Sequence, residues 1–403
     1  MRRFFCATAL LAPLACAAPA LAAFTVPGFE LVYSYPAETT LVRPELRQAA
    51  EVWPELIASA KSRLDIAEFY VAVSTKPEPI DAVIAAIRAA GTRGVKIRFL
   101  VQKSGATTPE GVERLRSVPN LELRVIEWSK VNPAGSGIVH AKYMVADGRT
   151  GYVGSQNFDW RSLKHIHEMG LLVQDAGVVK DMQAVFDHDW KAQALAAAGK
   201  PVPPLNKSAP KAPLGRRAYL VASPWVFDPP GVGDSESELV RLIGAAQREV
   251  AVVLLDYSPL TFSRPRRLYP PIDNALRDAA VRGVKVKLLV SHWGTEKPEV
   301  DHLKSLSLLP NVEVRVITIP ESSEGPIPFS RTVHSKAMVA DGKTLWLGTS
   351  NWAGGYLDDS RNLEVVVNDE ALAKEAGAVH EQLWTSEYTQ ALDIGKDYPK
   401  PRR

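Results

Sequence analysis

The sequence has almost no cysteine. Its 403 residues include 2 cysteines, Cys6 and Cys16, and both lie close to the N-terminus. Residues 1–22 combine a short basic start, an apolar run and the Ala20-Leu21-Ala22 pattern of a signal-peptide cleavage site. We therefore expect an exported protein, periplasmic or secreted, whose mature chain has no cysteine and hence no disulfide.

Net charge and long apolar runs are also scarce. The formal charge is +3, and Arg2 and Arg3 belong to the expected signal, so the rest of the chain is close to neutral. This balance gives no support for a protein that coats nucleic acid, although a local basic cleft stays compatible with it. After residue 22 we find no stretch long and apolar enough to span a bilayer.

One motif occurs twice at a constant offset. Both copies have the form H-x-K-x4-D followed by G-[ST]-x-N. The first copy comprises His140, Lys142, Asp147, Ser155 and Asn157, and the second comprises His334, Lys336, Asp341, Thr349 and Asn351. A single copy is compatible with a strand that simply ends in a polar turn, but two intact copies at fixed spacing rarely arise by chance. The repeat therefore indicates chemistry that was duplicated together with its fold.

The duplication extends over nearly the whole chain after residue 22. Strand-like and helical segments alternate in the same order in both halves, for example around Arg93-Gly94-Val95 and Arg282-Gly283-Val284. This pattern predicts an α/β fold with two similar lobes, each a mixed β-sheet flanked by α-helices, related by a pseudo-twofold axis. We divide the chain into a signal at 1–22, an N-terminal lobe at 23–199, a proline-rich linker at 200–214 and a C-terminal lobe at 215–403.

The motif residues suit the binding of a tetrahedral anion. On a strand, His and Lys two positions apart share one face, so each copy should present an imidazole beside an ammonium group. The hydroxyl and amide of G-[ST]-x-N add directed hydrogen bonds. If two such sets meet around one phosphate, one imidazole can attack phosphorus while the other protonates the leaving oxygen. Two lysines would balance the phosphoryl charge without a metal.

The doubled motif resembles the signature of the phospholipase D superfamily. Its flanks at 154–163 and 348–356 are similar to the subgroup of lysosomal phospholipase D-like 5′ exonucleases and the poxvirus envelope phospholipase. The resemblance implies a covalent phosphohistidine, with His140 as nucleophile and His334 as the acid and then the base. It also implies phosphate binding by the remaining polar residues of both copies, which are Lys142, Lys336, Asn157, Asn351, Ser155 and Thr349.

Two further pairs of residues have expected roles. Asp147 and Asp341 should be structural, because each precedes a glycine turn. A carboxylate often orients a catalytic imidazole through its second nitrogen, and we expect Glu168 and Glu364 to do so. The ungapped repeat places Asn362 opposite Glu168, so Glu364 requires a two-residue insertion in the second copy.

Two side interpretations stay open. His165-x-His167 beside Glu168 has the spacing of two metal ligands, but no third ligand stands at a recognisable distance. Trp160, Trp352 and Tyr356 follow the motif asparagines, where aromatic rings contact a base or an acyl chain, or pack between the lobes.

We expect a monomeric, metal-independent phosphodiesterase that uses no cofactor. Hydrolysis of phospholipid head groups is slightly favoured, with transphosphatidylation when an alcohol replaces water and brief contact with a membrane surface. The alternatives are a 5′ exonuclease on single-stranded nucleic acid and a non-catalytic protein that binds phosphate ligands.

Overall fold

Two mixed β-sheets, one in each half of the chain, form the frame of the molecule. The computed structural model describes residues 23–262 and 265–403, so the expected signal at 1–22 lies outside the described residues. Within the described residues each large sheet has nine strands, and two short two-stranded sheets accompany them. The mixed α/β architecture with two similar lobes is confirmed.

The N-terminal lobe alternates strands and helices as the hydrophobic pattern predicts. Its strands are β1 (Thr25–Val26), β2 (Phe29–Ser34), β3 (Arg47–Gln48), β4 (Arg63–Glu68), β5 (Val71–Ala72), β6 (Lys96–Gln102), β7 (Leu121–Ile126), β8 (Tyr143–Ala146), β9 (Thr150–Gly154), β10 (Phe158–Asp159) and β11 (Glu168–Val173). Its helices are α1 (Ala49–Ser59), α2 (Pro79–Thr92), α3 (Pro109–Arg116) and α4 (Ala176–Ala197), with a 3-10 turn at Trp128–Lys130.

The C-terminal lobe repeats this order. Its strands are β12 (Ala218–Ser223), β13 (Gly233–Asp234), β14 (Glu249–Leu254), β15 (Tyr257–Thr261), β16 (Lys285–Ser291), β17 (Val312–Ile317), β18 (Ala337–Ala340), β19 (Thr344–Gly348), β20 (Trp352–Gly354), β21 (Asn362–Asn368) and β22 (Thr389–Ala391). Its helices are α5 (Ser235–Ala245), α6 (Pro271–Val281), α7 (Glu299–Ser307) and α8 (Glu370–Thr385), with 3-10 turns at Trp225–Phe227 and His292–Thr295. Segment 200–214, which we expected to be a linker, is fully described and contains neither helix nor strand.

The two sheets have corresponding strand orders. The N-terminal sheet runs β1-β2-β11-β9-β8-β4-β6-β7, with β3 beside β2, and the C-terminal sheet runs β13-β12-β21-β19-β18-β14-β16-β17-β22. In each, one buried strand stands between a parallel neighbour and the antiparallel strand that lies between the Lys and the Asp of the motif. These trios are β6, β4 and β8 in the first lobe, and β16, β14 and β18 in the second.

The apolar core has three layers. The middle layer joins both lobes: it contains the inner faces of the two sheets together with α4 and α8. The outer layers pack α1 and α2 on the N-terminal sheet and α5 to α7 on the C-terminal sheet. Because the lobes share one apolar layer, their relative position is part of the folded core. Among the described residues, no helix combines the length and the apolar character that a membrane crossing needs.

A buried ion-pair cluster reinforces the joint between the lobes. The Arg361 side chain is fully buried, and its guanidinium lies 3.0 Å from a carboxylate oxygen of Asp189 and 3.1 Å from one of Asp228. Asp189 belongs to α4 of the first lobe, whereas Arg361 and Asp228 belong to the second. The guanidinium also lies 5.1 Å from the ring centre of Trp128. Removing one member would leave a charge buried without its partner.

We therefore predict that Arg361→Met lowers the free energy of unfolding by about 3–5 kcal/mol. The matched control is Arg216→Met. Arg216 stands 4.0 Å from Asp181 with about half of its side chain exposed, and its loss should cost no more than about 1 kcal/mol. Urea unfolding of both variants measures the difference. Equal losses in the two variants would contradict the structural role of Arg361.

Candidate active site

The two motifs come together because the backbone at each motif histidine hydrogen-bonds to a segment of the opposite lobe. The His140 N–H donates to the Arg361 carbonyl at 2.9 Å, and the His334 N–H donates to the His167 carbonyl at 2.8 Å. We expected His140 and Lys142 on a strand, but strand β8 begins only at Tyr143. The lead-in to each strand pairs with the opposite lobe instead, which brings the two histidines into one cavity.

His140 is oriented by an amide from the other lobe. Its Nδ1 lies 3.1 Å from Oδ1 of Asn362. The Thr349 hydroxyl also donates to this oxygen at 2.9 Å, while the Asn362 Nδ2 donates to the Tyr356 carbonyl at 2.8 Å. This network assigns Oδ1 as an acceptor, so the proton of neutral His140 sits on Nδ1. Its Nε2 then carries a free lone pair, as a nucleophile requires.

His334 is oriented by a carboxylate. Its Nδ1 lies 2.8 Å from Oε2 of Glu168, which is fully buried on β11 of the first lobe. Burial raises the pKa of Glu168 to about 8, against the opposing charge of Lys336. Burial and the two motif lysines lower the pKa of His334. Glu168 and His334 therefore share one proton near neutral pH and titrate as a coupled pair.

The two histidine partners differ, which corrects one expectation. Glu364 contacts no imidazole: its carboxylate accepts from the Ser235 and Ser350 hydroxyls and from the Ser350 N–H at 3.2 Å. Our expectation that Glu364 orients a histidine is therefore wrong. Strand β21 begins at Asn362 with no inserted residue before it, so the ungapped repeat identifies the partner that we passed over.

Two buried lysines make the site attractive to an anion. Lys142 and Lys336 are 1% and 0% exposed, and each ammonium donates to the carbonyl of its own motif histidine. Burial lowers the pKa of both, to about 7 for Lys336, and for Lys142 the charge of Lys336 adds to the effect. A bound phosphoryl group would supply the counter-charge that these cations lack.

The remaining motif residues fall into three groups. Asn157 and Asn351 are buried in the wall of the cavity that both histidines share, and their role as phosphate ligands stays a prediction. Ser155 and Thr349 are fully buried and bond the backbones of Met169 and Leu363, so they support β11 and β21 rather than line the cavity. This placement contradicts our expectation that they bind substrate.

The motif aspartates clamp the chain that precedes each central strand. Asp147 accepts from the N–H groups of Lys61, Ser62 and Arg63 at 2.8–2.9 Å. Asp341 accepts in the same manner from residues 247–249 at 2.7–3.0 Å. Partial burial alone would raise the pKa of each carboxyl, but these hydrogen bonds lower it more and keep the pKa of both below the usual range. Neither aspartate contacts a motif histidine or lysine.

The cavity between the histidines has a volume of about 260 Å³, and five aromatic side chains contribute to its wall. Its aromatic members are Phe69, Tyr70, Trp293, Phe329 and Tyr356. Of Trp160, Trp352 and Tyr356, which the sequence suggested, only Tyr356 lines this cavity. Its ring centre lies 4.9 Å from that of His140. Trp352 packs in the C-terminal core against Trp346, and Trp160 lies edge-on to His165.

Several cavity residues were missed because they lie outside the motif. Phe69 and Tyr70 follow β4, and Asp256 follows β14. The carboxyl ends of central parallel strands are common ligand positions in α/β sheets, and this rule could have found them. His165, His167 and Glu168 do not share a metal site: His167 Nδ1 lies 2.9 Å from the Ser335 hydroxyl, and Glu168 holds His334.

Comparison with known proteins agrees with this geometry. The family model described as "Cardiolipin synthase, PLD-like domain" matches residues 54–190 and 239–384, which covers both lobes. The chain belongs to the phospholipase D-like family. The family match and the curated relatives together make this phospholipase D-like chain a phosphodiesterase, which hydrolyses phosphodiester bonds.

Curated relatives of this phospholipase D-like protein have different names. It is 32% identical over 376 residues to "Probable phospholipase D F09G2.8" of Caenorhabditis elegans, covering 85% of this chain and 67% of that one. It is 30% identical over 383 residues to "5'-3' exonuclease PLD3" of Rattus norvegicus, covering 86% and 77%.

A solved structure supports the fold. Phosphatidylserine synthase of Haemophilus influenzae matches with a TM-score of 0.60 at 13% identity, over 85% of this chain and 84% of that one. At this identity the likeness concerns the fold alone.

Proposed function

We propose that this protein is a metal-independent 5′ exonuclease on single-stranded nucleic acid that works through a phosphohistidine on His140. In the first step the His140 Nε2 attacks phosphorus, the bond to the leaving oxygen breaks, and His334 gives that oxygen a proton. In the second step water attacks the phosphohistidine, its proton returns to His334, and the phosphorus–nitrogen bond breaks. An alcohol in place of water would give a transfer product.

The unequal histidine partners support this division of roles. A carboxylate stabilises an imidazolium and a neutral amide does not, so the proton needed by the leaving group resides with His334 and Glu168. Burial and the charges of Lys142 and Lys336 lower the pKa of His140, so it stays neutral and nucleophilic even in mild acid. The resemblance to the family implied the same assignment.

The pH dependence follows from these shifts. The Glu168–His334 unit holds its proton below about pH 8, and Lys336, with a pKa of about 7, holds its own at lower pH. We predict that kcat/KM is flat from mildly acidic pH to about 7 and then falls, approaching a hundredfold loss per pH unit once both protons are lost. Initial rates between pH 5 and 9.5 test this, and a profile that rises through pH 7–9 would contradict the assignment.

The aromatic cavity is the observation that carries the choice of substrate. Its volume suits one terminal nucleotide, and rings such as Phe69, Trp293 and Tyr356 offer surfaces on which a base can stack. A second cavity of about 330 Å³ shares Trp293 and Tyr356 with the first and is also lined by Arg266 and Arg403, whose positive charges suit the phosphates of the rest of a strand. The 5′ exonuclease name of a relative points the same way.

Phospholipid hydrolysis is the second candidate, because exposed apolar side chains lie at and near the two cavities. Phe262 lines the second cavity and is 41% exposed, and Phe329 lines the first and is 57% exposed. Leu268 nearby is 68% exposed. Such residues suit brief contact with a membrane surface. This candidate agrees with our slight preference from sequence and with the name of the nematode relative.

One experiment separates the candidates. Linear single-stranded DNA, the same DNA circularised, and phosphatidylcholine vesicles are incubated with the native protein and with His140→Ala in EDTA. We expect mononucleotides from the linear strand only. Release of choline alone would favour the lipase, and binding without turnover would favour a phosphate-binding protein. Turnover that survives His140→Ala would overturn the mechanism, and loss of all turnover in EDTA would overturn its independence of metal.

Export and a monomeric state remain part of the proposal. The sequence of residues 1–22 supports cleavage after Ala22, and the site needs only the two lobes of one chain. Intact mass of the protein recovered from an exporting host should begin at Ala23, and light scattering should give the mass of one chain. An uncleaved chain or a stable dimer would contradict these points.

A further inference from the structure

A second group of charged and ligating side chains lies where the loop at 318–332 of the C-terminal lobe rests on the N-terminal lobe. Glu78 precedes α2, His165 precedes β11, and Glu324 lies in that loop. One ligand atom from each residue lies within 4.8 Å of the other two. None of the three contacts His140 or His334, so the cluster is separate from the reaction described above.

His165 is the unusual member of this cluster. Its side chain is 1% exposed, yet neither Nδ1 nor Nε2 has a hydrogen-bond partner among the described residues. Trp160 packs edge-on against the imidazole, with ring centres 5.5 Å apart. Buried imidazole nitrogens normally have a partner, and here one of them is directed at two carboxylates. Two carboxylates alone would not indicate a binding site, but the imidazole without a hydrogen-bond partner points to a ligand.

Lys164 now balances the two carboxylates. Its ammonium lies 3.2 Å from Glu78 and 3.0 Å from Glu324, and Lys76 lies 3.4 Å from Glu324. About a third of the Lys164 side chain is exposed, so it can move into solvent when another cation arrives. The ammonium makes no bond to His165, and it therefore leaves the imidazole unsatisfied.

We propose that Glu78, His165 and Glu324 form a binding site for a divalent transition-metal ion, with Zn²⁺ as the best match. One imidazole and two carboxylates are a common ligand set for this ion, and water can complete the coordination. Harder ions such as Ca²⁺ require six or more oxygens, which this cluster lacks. Zn²⁺ takes the place of the Lys164 ammonium and satisfies the buried nitrogen.

The ion would fasten one wall of the catalytic cavity. The loop carrying Glu324 also carries Phe329, which lines that cavity. Hydrogen bonds already join it to the N-terminal lobe: the Arg331 N–H donates to the His165 carbonyl at 3.0 Å, and the Arg161 guanidinium donates to the Pro328 carbonyl at 2.9 Å. Zn²⁺ adds a link between the lobes and takes no part in bond breaking.

The test is thermal unfolding of the metal-stripped full chain, without a histidine tag, titrated with ZnCl2, CaCl2 or MgCl2. Zn²⁺ at about 100 times its dissociation constant should raise Tm by on the order of 5 °C, whereas Ca²⁺ and Mg²⁺ should leave it unchanged. Calorimetric titration should give one Zn²⁺ per chain.

Four variants decide whether the named residues hold the ion. His165→Ala and Glu324→Gln should abolish the Zn²⁺ shift. Glu321→Gln, an exposed carboxylate in the same loop, should retain it, and Lys164→Met should strengthen Zn²⁺ binding because the competing ammonium is gone. An absent shift in the native protein, or an equal shift in all variants, would overturn the site. Turnover in EDTA is a separate readout, so the failure of this site leaves the proposed reaction untouched.

Discussion

His140→Ala should lower kcat by at least about 10⁴-fold, and His334→Ala should do the same on a substrate with a poor leaving group. Each loss corresponds to roughly 5.5 kcal/mol of transition-state stabilisation. The first variant lacks the atom that attacks phosphorus, and the second lacks the proton that the leaving alkoxide needs. Because each lobe supplies one of these groups, neither motif can replace the other.

The leaving group separates the two roles. With bis(p-nitrophenyl) phosphate, whose phenolate leaves without a proton, His334→Ala should regain much of its first-step rate, whereas His140→Ala should stay inactive. His302→Ala, on α7 and outside the cavity, is the matched control and should keep the native kcat. Recovery by His140→Ala instead would show that His334 is the nucleophile.

Glu168→Gln should lower kcat by about 10³-fold, whereas Glu364→Gln should stay within about threefold of the native enzyme. Both carboxyls are fully buried, and burial raises the pKa of each, to about 8 for Glu168 and about 7 for Glu364. Only Glu168 touches an imidazole, and an amide in its place cannot stabilise protonated His334.

The pH profile distinguishes this role from a merely structural one. Glu168→Gln should lose the step near pH 8 and keep the one that belongs to Lys336. Glu364→Gln should show the native profile even if its Tm is lower, because Ser235 and Ser350 lose a shared acceptor. Equal losses of kcat in the two variants would contradict the asymmetric site.

The repeated motif was enough to predict the lobes, the paired histidines and lysines, and the clamping aspartates. The repeat predicts these features because both lobes have the same strand order and pack it in the same way. It misled us where the copies differ, at Glu364, and where motif residues serve the fold, at Ser155 and Thr349. We allowed an insertion so that Glu364 could match Glu168, but the backbone keeps register and places Asn362 beside His140.

Residues brought together from distant segments were harder to predict. Phe329 reaches the cavity from the loop at 318–332 of the C-terminal lobe, and Trp293 follows β16. Neither belongs to a periodic pattern or to the repeat, so no local signal marks them. The hydroxyls of Ser155 and Thr349 show the opposite difficulty: they belong to the motif, yet they bond strand backbones, and in Thr349 also the Asn362 side chain, and do not line the cavity.

The most direct test of one shared site is a count of trapped phosphoryl groups. Native enzyme, His140→Ala and His334→Ala are mixed with bis(p-nitrophenyl) phosphate, quenched within the first turnover, and analysed by intact mass and peptide mapping. We predict one adduct per chain, on His140, which accumulates in His334→Ala and is absent from His140→Ala. Two adducts per chain, or an adduct on His334, would contradict a single site built from both lobes with His140 as its nucleophile.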